Sequence, residues 1–115
     1  EFETDYWTGV IFTTNRRVWE HDEKFKTRLT EARAIGIDME TATIFTAGFA
    51  TEIPRGALLL VSDNPMIPSG VKTDESDKSV TSQFVNLHIE IGIRALEELR
   101  DSGSSVKHMR FYHRP

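Results

Sequence analysis

The chain has 115 residues, 38% of them hydrophobic and 28% charged, and 14 basic against 18 acidic side chains leave a formal charge of −4. That is enough chain for one modest domain, too apolar for wholesale disorder, and without the run of roughly 20 apolar residues that a membrane-spanning helix needs. The absence of cysteine excludes disulfide scaffolds, thiolate metal sites and cysteine nucleophiles, and mild acidity argues against a nucleic-acid binder, which carries a basic surplus.

The opening Glu1-Phe-Glu-Thr-Asp5 is not the pattern expected of a secretory signal. No Met opens the chain, and Tyr6-Trp7 leads straight into β-rich sequence, so a piece of a longer polypeptide is expected. Thr8 to Thr14 is β-branched and apolar and reads as a strand. Asn15-Arg-Arg-Val-Trp19 reads as a polar, basic loop. A helix is predicted from about Glu20 to Ala34, with Phe25, Leu29 and Ala32 on one face and Gly36 as its stop.

Ile35 to Asp38 reads as a very short extended piece, and Met39 to about Thr51 as a second helix ended by Pro54 and Gly56. Its small and apolar residues run nearly all round, which predicts burial. Ala57-Leu-Leu-Leu-Val61 reads as a strand buried on both faces. Asn64 to Asp77 is irregular, the kind of long loop that carries function. A last helix is predicted from about Ser79 to Arg100, capped by Asp77 or Ser79 and ended by Gly103. Its stripe is Val80, Phe84, Leu87, Ile91, Ala95 and Leu99, widened by Val85, Ile89, Ile93 and Leu96. The tail from Val106 to Pro115 is basic and aromatic, and a frayed or docked terminus is its default reading. The alternation of strand and helix predicts an α/β fold.

Three groups of residues carry candidate chemistry. Asp38-Met39-Glu40 lies at a strand-to-helix junction. A carboxylate there can accept hydrogen bonds from two vicinal hydroxyls, as on a ribose, with Met39 against the sugar; simple capping of the helix by the two carboxylates is the plain alternative. Ser62-Asp63 follows the apolar run, at a strand end where open α/β sheets place ligand chemistry. Apolar surroundings favour a protonated carboxyl that could act as a general acid; a loop Asp making a local turn bond is the alternative. Arg16 and Arg17 suit bidentate phosphate recognition, against a solvated turn or pairing with Glu20, Asp22 and Glu23. Trp19 could stack on a base or sit in the core. His21, His88, His108 and His113 form no His-x-x-x-His pair, so no metal site is expected.

Asp38-Met-Glu-Thr-Ala42 resembles the ribose motif of the purine nucleoside phosphorylase and nucleosidase superfamily, and Val61-Ser-Asp63 resembles its purine motif. Longer runs are similar to the AMP nucleosidase family: Tyr6-Trp-Thr-Gly9, Thr13 to Asp22, Asp38 to Phe45, Gly56 to Asp63, Pro65 to Pro68, Gly70 to Thr73 and Val106 to His108. The resemblance covers nearly the whole chain. It implies part of a three-layer α/β fold, with a mixed central sheet flanked by helices. The activity it implies is hydrolysis of the N-glycosidic bond of AMP to adenine and ribose 5-phosphate.

By the same resemblance Glu40 holds the ribose hydroxyls, Met39 packs on the sugar, Asp63 protonates the leaving base at N7 and Ser62 supports Asp63. Arg16 and Arg17 fit the 5′-phosphate on chemical grounds. Many relatives have an Asp and an aromatic in the loop after the first strand, where this chain has Asn15 and Arg17, so Phe12 and Trp19 are both candidates to stack on the base. No cofactor, nucleic acid or membrane is implied. A cytoplasmic purine-salvage enzyme is, as a homo-hexamer with ATP and phosphate as effectors. Residues 1–115 would be the C-terminal half of one catalytic domain, without the N-terminal half or a regulatory domain, and on their own inactive and poorly folded. A purine nucleoside phosphorylase, another nucleosidase of the superfamily, or a non-catalytic nucleotide-binding module are the competing readings.

Overall fold

A computed structural model describes residues 5–103. The β-branched run yields a short strand, β1 (Val10–Thr13), and β2 (Ala34–Asp38) lies beside it in parallel, with Thr13 opposite Asp38. The register is interrupted between Val10, which faces Ala34, and Ile11, which faces Gly36. Helix α1 (Glu23–Glu31) connects the two strands. The result is a β–α–β unit, the crossover that parallel pairing requires. Two further helices follow, α2 (Thr41–Ala50) and α3 (Asp74–Ser102).

The helix predicted from Glu20 to Ala34 is shorter at both ends. Asp22 sets the start by accepting the Phe25 N–H at 3.0 Å. At the other end Arg33, not Gly36, takes the left-handed conformation (φ 52°) that stops the helix. Gly36 instead sits inside β2, where a side chain would crowd Ile11.

Phe25 and Leu29, one turn apart, point inwards and with Trp19 make the buried core; Phe12 of β1 and Ile37 of β2 pack against it. Phe12 meets Phe25 edge-on at 5.7 Å, and Trp19 lies tilted on the same ring at 5.5 Å. Contacts of this kind contribute about 0.5–1.5 kcal/mol each beyond the area they bury. Ala32, expected on this face, is exposed at the C-cap.

Beyond this unit the apolar surface is open. Helix α2 packs on β1, and its Ile44, Phe45 and Phe49 are exposed although its composition predicts burial; the described residues put no second layer over those faces. Its end is built locally. Glu52 adopts φ 56°, the Ile53 N–H donates to the Gly48 carbonyl at 2.9 Å, and Pro54 follows, so Pro54 and Gly56 come after the stop and do not make it. The predicted strand at Ala57 to Val61 is not one. A strand exists through its ladder partner, the described sheet holds only β1 and β2, and Leu58 to Val61 are exposed.

Helix α3 starts earlier than predicted. The cap is Thr73, whose hydroxyl accepts the Ser76 N–H at 3.1 Å while Ser76 Oγ accepts the Thr73 N–H at 3.0 Å, a reciprocal box that displaces Asp77 and Ser79 from that role. Gly103 (φ 64°) ends the helix as expected. Along its stripe Val80, Leu87, Ile91 and Leu99 are half-buried, whereas Phe84, Ile89, Ile93 and Leu96 are exposed. The Cα radius of gyration, 16.8 Å, exceeds the ~13 Å of a compact domain of about 100 residues, as the open apolar faces require. No helix among the described residues is long and apolar enough to cross a membrane. The basic, aromatic tail lies outside the described residues.

Candidate functional site

Parallel pairing brings the carboxyl ends of β1 and β2 side by side, and a connected polar cluster forms there. Asp38 is its centre. Its Oδ1 accepts the Thr13 hydroxyl at 2.7 Å, and its Oδ2 accepts the Thr41 N–H at 2.8 Å together with the Thr41 hydroxyl. Thr13 Oγ1 in turn accepts the Ala42 N–H at 2.9 Å, and the Asp38 carbonyl accepts the Thr14 N–H at 2.9 Å. Burial pushes the Asp38 carboxyl up, but the hydrogen bonds from Thr41 and Thr13 outweigh it and hold it below its ordinary 3.8.

Met39 and Glu40 form the bend between β2 and α2, and both are exposed. Glu40 occupies the N-cap position of α2 yet makes no side-chain capping bond; its carboxylate accepts only the neighbouring Met39 N–H, at 3.2 Å. The capping that sequence reasoning shares between Asp38 and Glu40 therefore falls to Asp38, with Thr13.

Ser62 and Asp63 are half-buried. Ser62 Oγ donates to Asp63 Oδ1 at 2.6 Å, and the Lys72 N–H donates to Asp63 Oδ2 at 3.1 Å. The loop that begins at Asn64 folds back to make the second bond. Asn64 N–H donates to the Gly70 carbonyl at 2.9 Å, and a side chain at Gly70 would run into the Asn64 carbonyl oxygen. Lys72 Nζ pairs with Asp77 at 2.7 Å, a bond that raises the lysine above its ordinary value and ties the loop to the first turn of α3.

The two arginines differ. Arg16 is committed: its guanidinium pairs with Asp22 at 2.8 Å and lies 5.0 Å from the centre of the Phe25 ring. The hydrogen bonds from Phe25 and Arg16 hold Asp22 below its ordinary value. Arg17 is exposed and makes no hydrogen bond or ion pair among the described residues. Trp19 is 7% exposed and Phe12 half-buried, both packed on the Phe25 ring. A shallow depression of about 520 Å³ is lined by Arg16, Trp19, His21 and Asp22 among others.

The structure thus joins Asp38 to Thr13 and Thr41, and Asp63 to Ser62 and Lys72, but among the described residues no hydrogen bond or ion pair links the Glu40 group to the Asp63 group. No cluster of three or more metal-ligating side chains occurs among them. Thr13, Thr41, Gly70 and Lys72 escape a reading of the sequence. The available signal is the placement of a threonine at the end of one parallel strand and an aspartate at the end of its neighbour, which pairing makes partners.

A family model described as the phosphorylase superfamily matches residues 1–97. The AMP nucleosidase of Escherichia coli strain K12 is 36% identical over 100 residues, which are 86% of this chain and 20% of that protein. The AMP nucleosidase of Escherichia coli O157:H7 is similar to the same extent. The chain therefore spans about a fifth of the length of the curated relatives it matches. No solved structure matches it.

Proposed function

The chain belongs to the phosphorylase superfamily, with which its α/β fold of a helix-flanked sheet agrees, and from that premise we propose that it is part of a catalytic domain that hydrolyses AMP to adenine and ribose 5-phosphate. The observation that carries the reading is the Met39-Glu40 bend, an exposed carboxylate beside an apolar thioether at the strand ends, released from capping duty.

In this reading Glu40 accepts the two ribose hydroxyls and Met39 lies on the sugar. Charge builds up on the sugar as the C1′–N9 bond stretches, in an oxocarbenium-like state that a nearby carboxylate stabilises. Asp63 delivers a proton to N7, which makes the departing adenine neutral; water adds its oxygen to C1′ and its released proton restores Asp63. Proton donation of this kind accelerates a reaction by about 10²–10⁴-fold. Ser62 Oγ steadies one carboxyl oxygen and the Lys72 N–H the other, which carries the proton aimed at the base. Arg17, which has no hydrogen bond or ion pair among the described residues, is the better candidate for the 5′-phosphate than Arg16, which Asp22 already holds. The base-stacking role goes to Phe12 or Trp19. We extend the proposal to residues 1–115 as the C-terminal half of the catalytic domain of a cytoplasmic homo-hexamer that responds to ATP and phosphate.

The test is adenine release by the full-length protein from AMP and adenosine, each with and without phosphate, beside Asp63→Asn. Phosphate-independent release from AMP, reduced in the variant by about 10²–10⁴-fold, is the expected result. A requirement for phosphate or a preference for adenosine would move the assignment to a phosphorylase. Binding of AMP without release would leave a nucleotide-binding module.

A further inference from the structure

We propose that Asp38 is a positioning residue for Glu40, holding the strand-to-helix bend so that the Glu40 carboxylate faces the ribose and selects a sugar that carries its 2′-hydroxyl. The inference rests on reading Glu40 as the ribose-binding residue.

The geometry divides the work between the two carboxylates. The first N–H groups of a helix must find acceptors, and the N-cap side chain ordinarily supplies one. Here the N-cap residue is Glu40, and it supplies none. The Thr41 N–H goes to Asp38 Oδ2 and the Ala42 N–H to Thr13 Oγ1, itself held by Asp38 Oδ1. One carboxylate thus joins the end of β1, the end of β2 and the first turn of α2. Met39 and Glu40 are the two residues between those anchor points, so their backbone is fixed at both ends while their side chains stay exposed.

Charge matters as well as shape. Both oxygens of Asp38 accept, and three protons point at them. An amide in the same place must offer its NH₂ to one side. Facing Thr41, it would set a donor against the backbone N–H; facing Thr13, it would remove the acceptor that holds the Thr13 hydroxyl proton. Either way the bend loses an anchor, and a displacement of about 1 Å at a binding group can cost on the order of 10²-fold in rate.

The experiment compares AMP with its 2′-deoxy analogue in the full-length protein. Asp38→Asn is expected to lower the preference for AMP in kcat/KM by about tenfold. Its preference for AMP over adenosine, which reports the phosphate end, should stay unchanged. General loss of folded protein would lower every substrate alike and leave both ratios in place. Thr13→Val and Thr41→Val, each removing one hydroxyl from the cluster, should move the 2′-hydroxyl ratio the same way but less, and they serve if Asp38→Asn does not fold. Glu40→Gln should collapse the ratio, with little further effect of Asp38→Asn in that background. An unchanged ratio in Asp38→Asn, or in both threonine variants, beside a collapsed ratio in Glu40→Gln would overturn the role of Asp38. An unchanged ratio in Glu40→Gln would overturn the reading of Glu40, and this inference with it.

Discussion

The β1–α1–β2 unit and the stretch from Ile53 to Gly103 are made of similar residues and organised by different forces. In the first, Phe25, Leu29 and Trp19 are buried by partners from both strands. In the second, Leu58, Val61, Phe84 and Leu96 are exposed, and order comes from bonds between near neighbours: the box at Thr73 and Ser76, the left-handed Gly103, the turn closed by Asn64 and Gly70. Capping and turn chemistry act within a few residues and are complete in either setting. Hydrophobic burial needs a facing surface, and among the described residues the first region has one and the second does not.

The largest expected effect sharpens that contrast. Phe25→Ala should cost about 3–5 kcal/mol, because it removes the ring on which Phe12 and Trp19 both rest. Leu96→Ala in this 115-residue chain should stay within about 0.5 kcal/mol. Urea unfolding of the full-length protein measures the first, and helix content of the 115-residue chain by circular dichroism the second. Repeating Leu96→Ala in the full-length protein asks whether the exposed stripe is covered there. A loss of helix content in the 115-residue chain with Leu96→Ala would break the comparison.

Next in size is Gly70→Ala. The added methyl meets the Asn64 carbonyl, so the turn must open and the Lys72 N–H must leave Asp63. The expected cost is about 1–3 kcal/mol, with adenine release falling more than AMP affinity. Unchanged release would mean that the loop does not orient Asp63.

Thr73→Ala should remove about 1 kcal/mol from the start of α3, and Thr73→Ser should restore most of it. Loss of helical signal in the first measurement, without change in Trp19 emission, would show the two regions to be independent.

The smallest effect is in the pH profile. Asp38 and Asp22 both lie below their ordinary 3.8 in the folded state. A depressed carboxyl binds its proton less readily when folded than when unfolded, so its contribution is present above 3.8 and lost as pH falls through the lower folded value. Both groups belong to the β1–α1–β2 side. Acid should therefore weaken that unit below about pH 3.8, and Asp38→Asn should flatten the response. An unaltered acid limb in the variant would count against the Thr13–Asp38–Thr41 cluster.

Much of this was readable from residue order. The face of α1 is announced by Phe25 and Leu29, though its start at Asp22 lies inside the predicted start at Glu20, and Gly103 ends α3 as its sequence predicts, because a cap acts on the adjoining turn of its own chain. The candidate carboxylates Glu40 and Asp63 were legible as types, Glu40 at a strand-to-helix junction and Asp63 after an apolar run. The errors have a common origin. Gly36 carries a helix-stop signal but is taken into β2, where a side chain would crowd Ile11. Ala57 to Val61 has the composition of a buried strand, yet it pairs with nothing among the described residues.

By itself the sequence determined the kind of protein: α/β, with the three helices among the described residues marked in place though not at every end, and with carboxylates set at the ends of apolar runs. The tertiary structure alone decided which carboxylate does what. Asp38 and Glu40 are two residues apart and chemically alike, and no local rule ranks them. Parallel pairing puts Thr13 opposite Asp38, that hydroxyl and the start of α2 claim both oxygens, and Glu40 is left exposed. A hydrogen bond between residues 25 positions apart exists only once the strands that carry them have met.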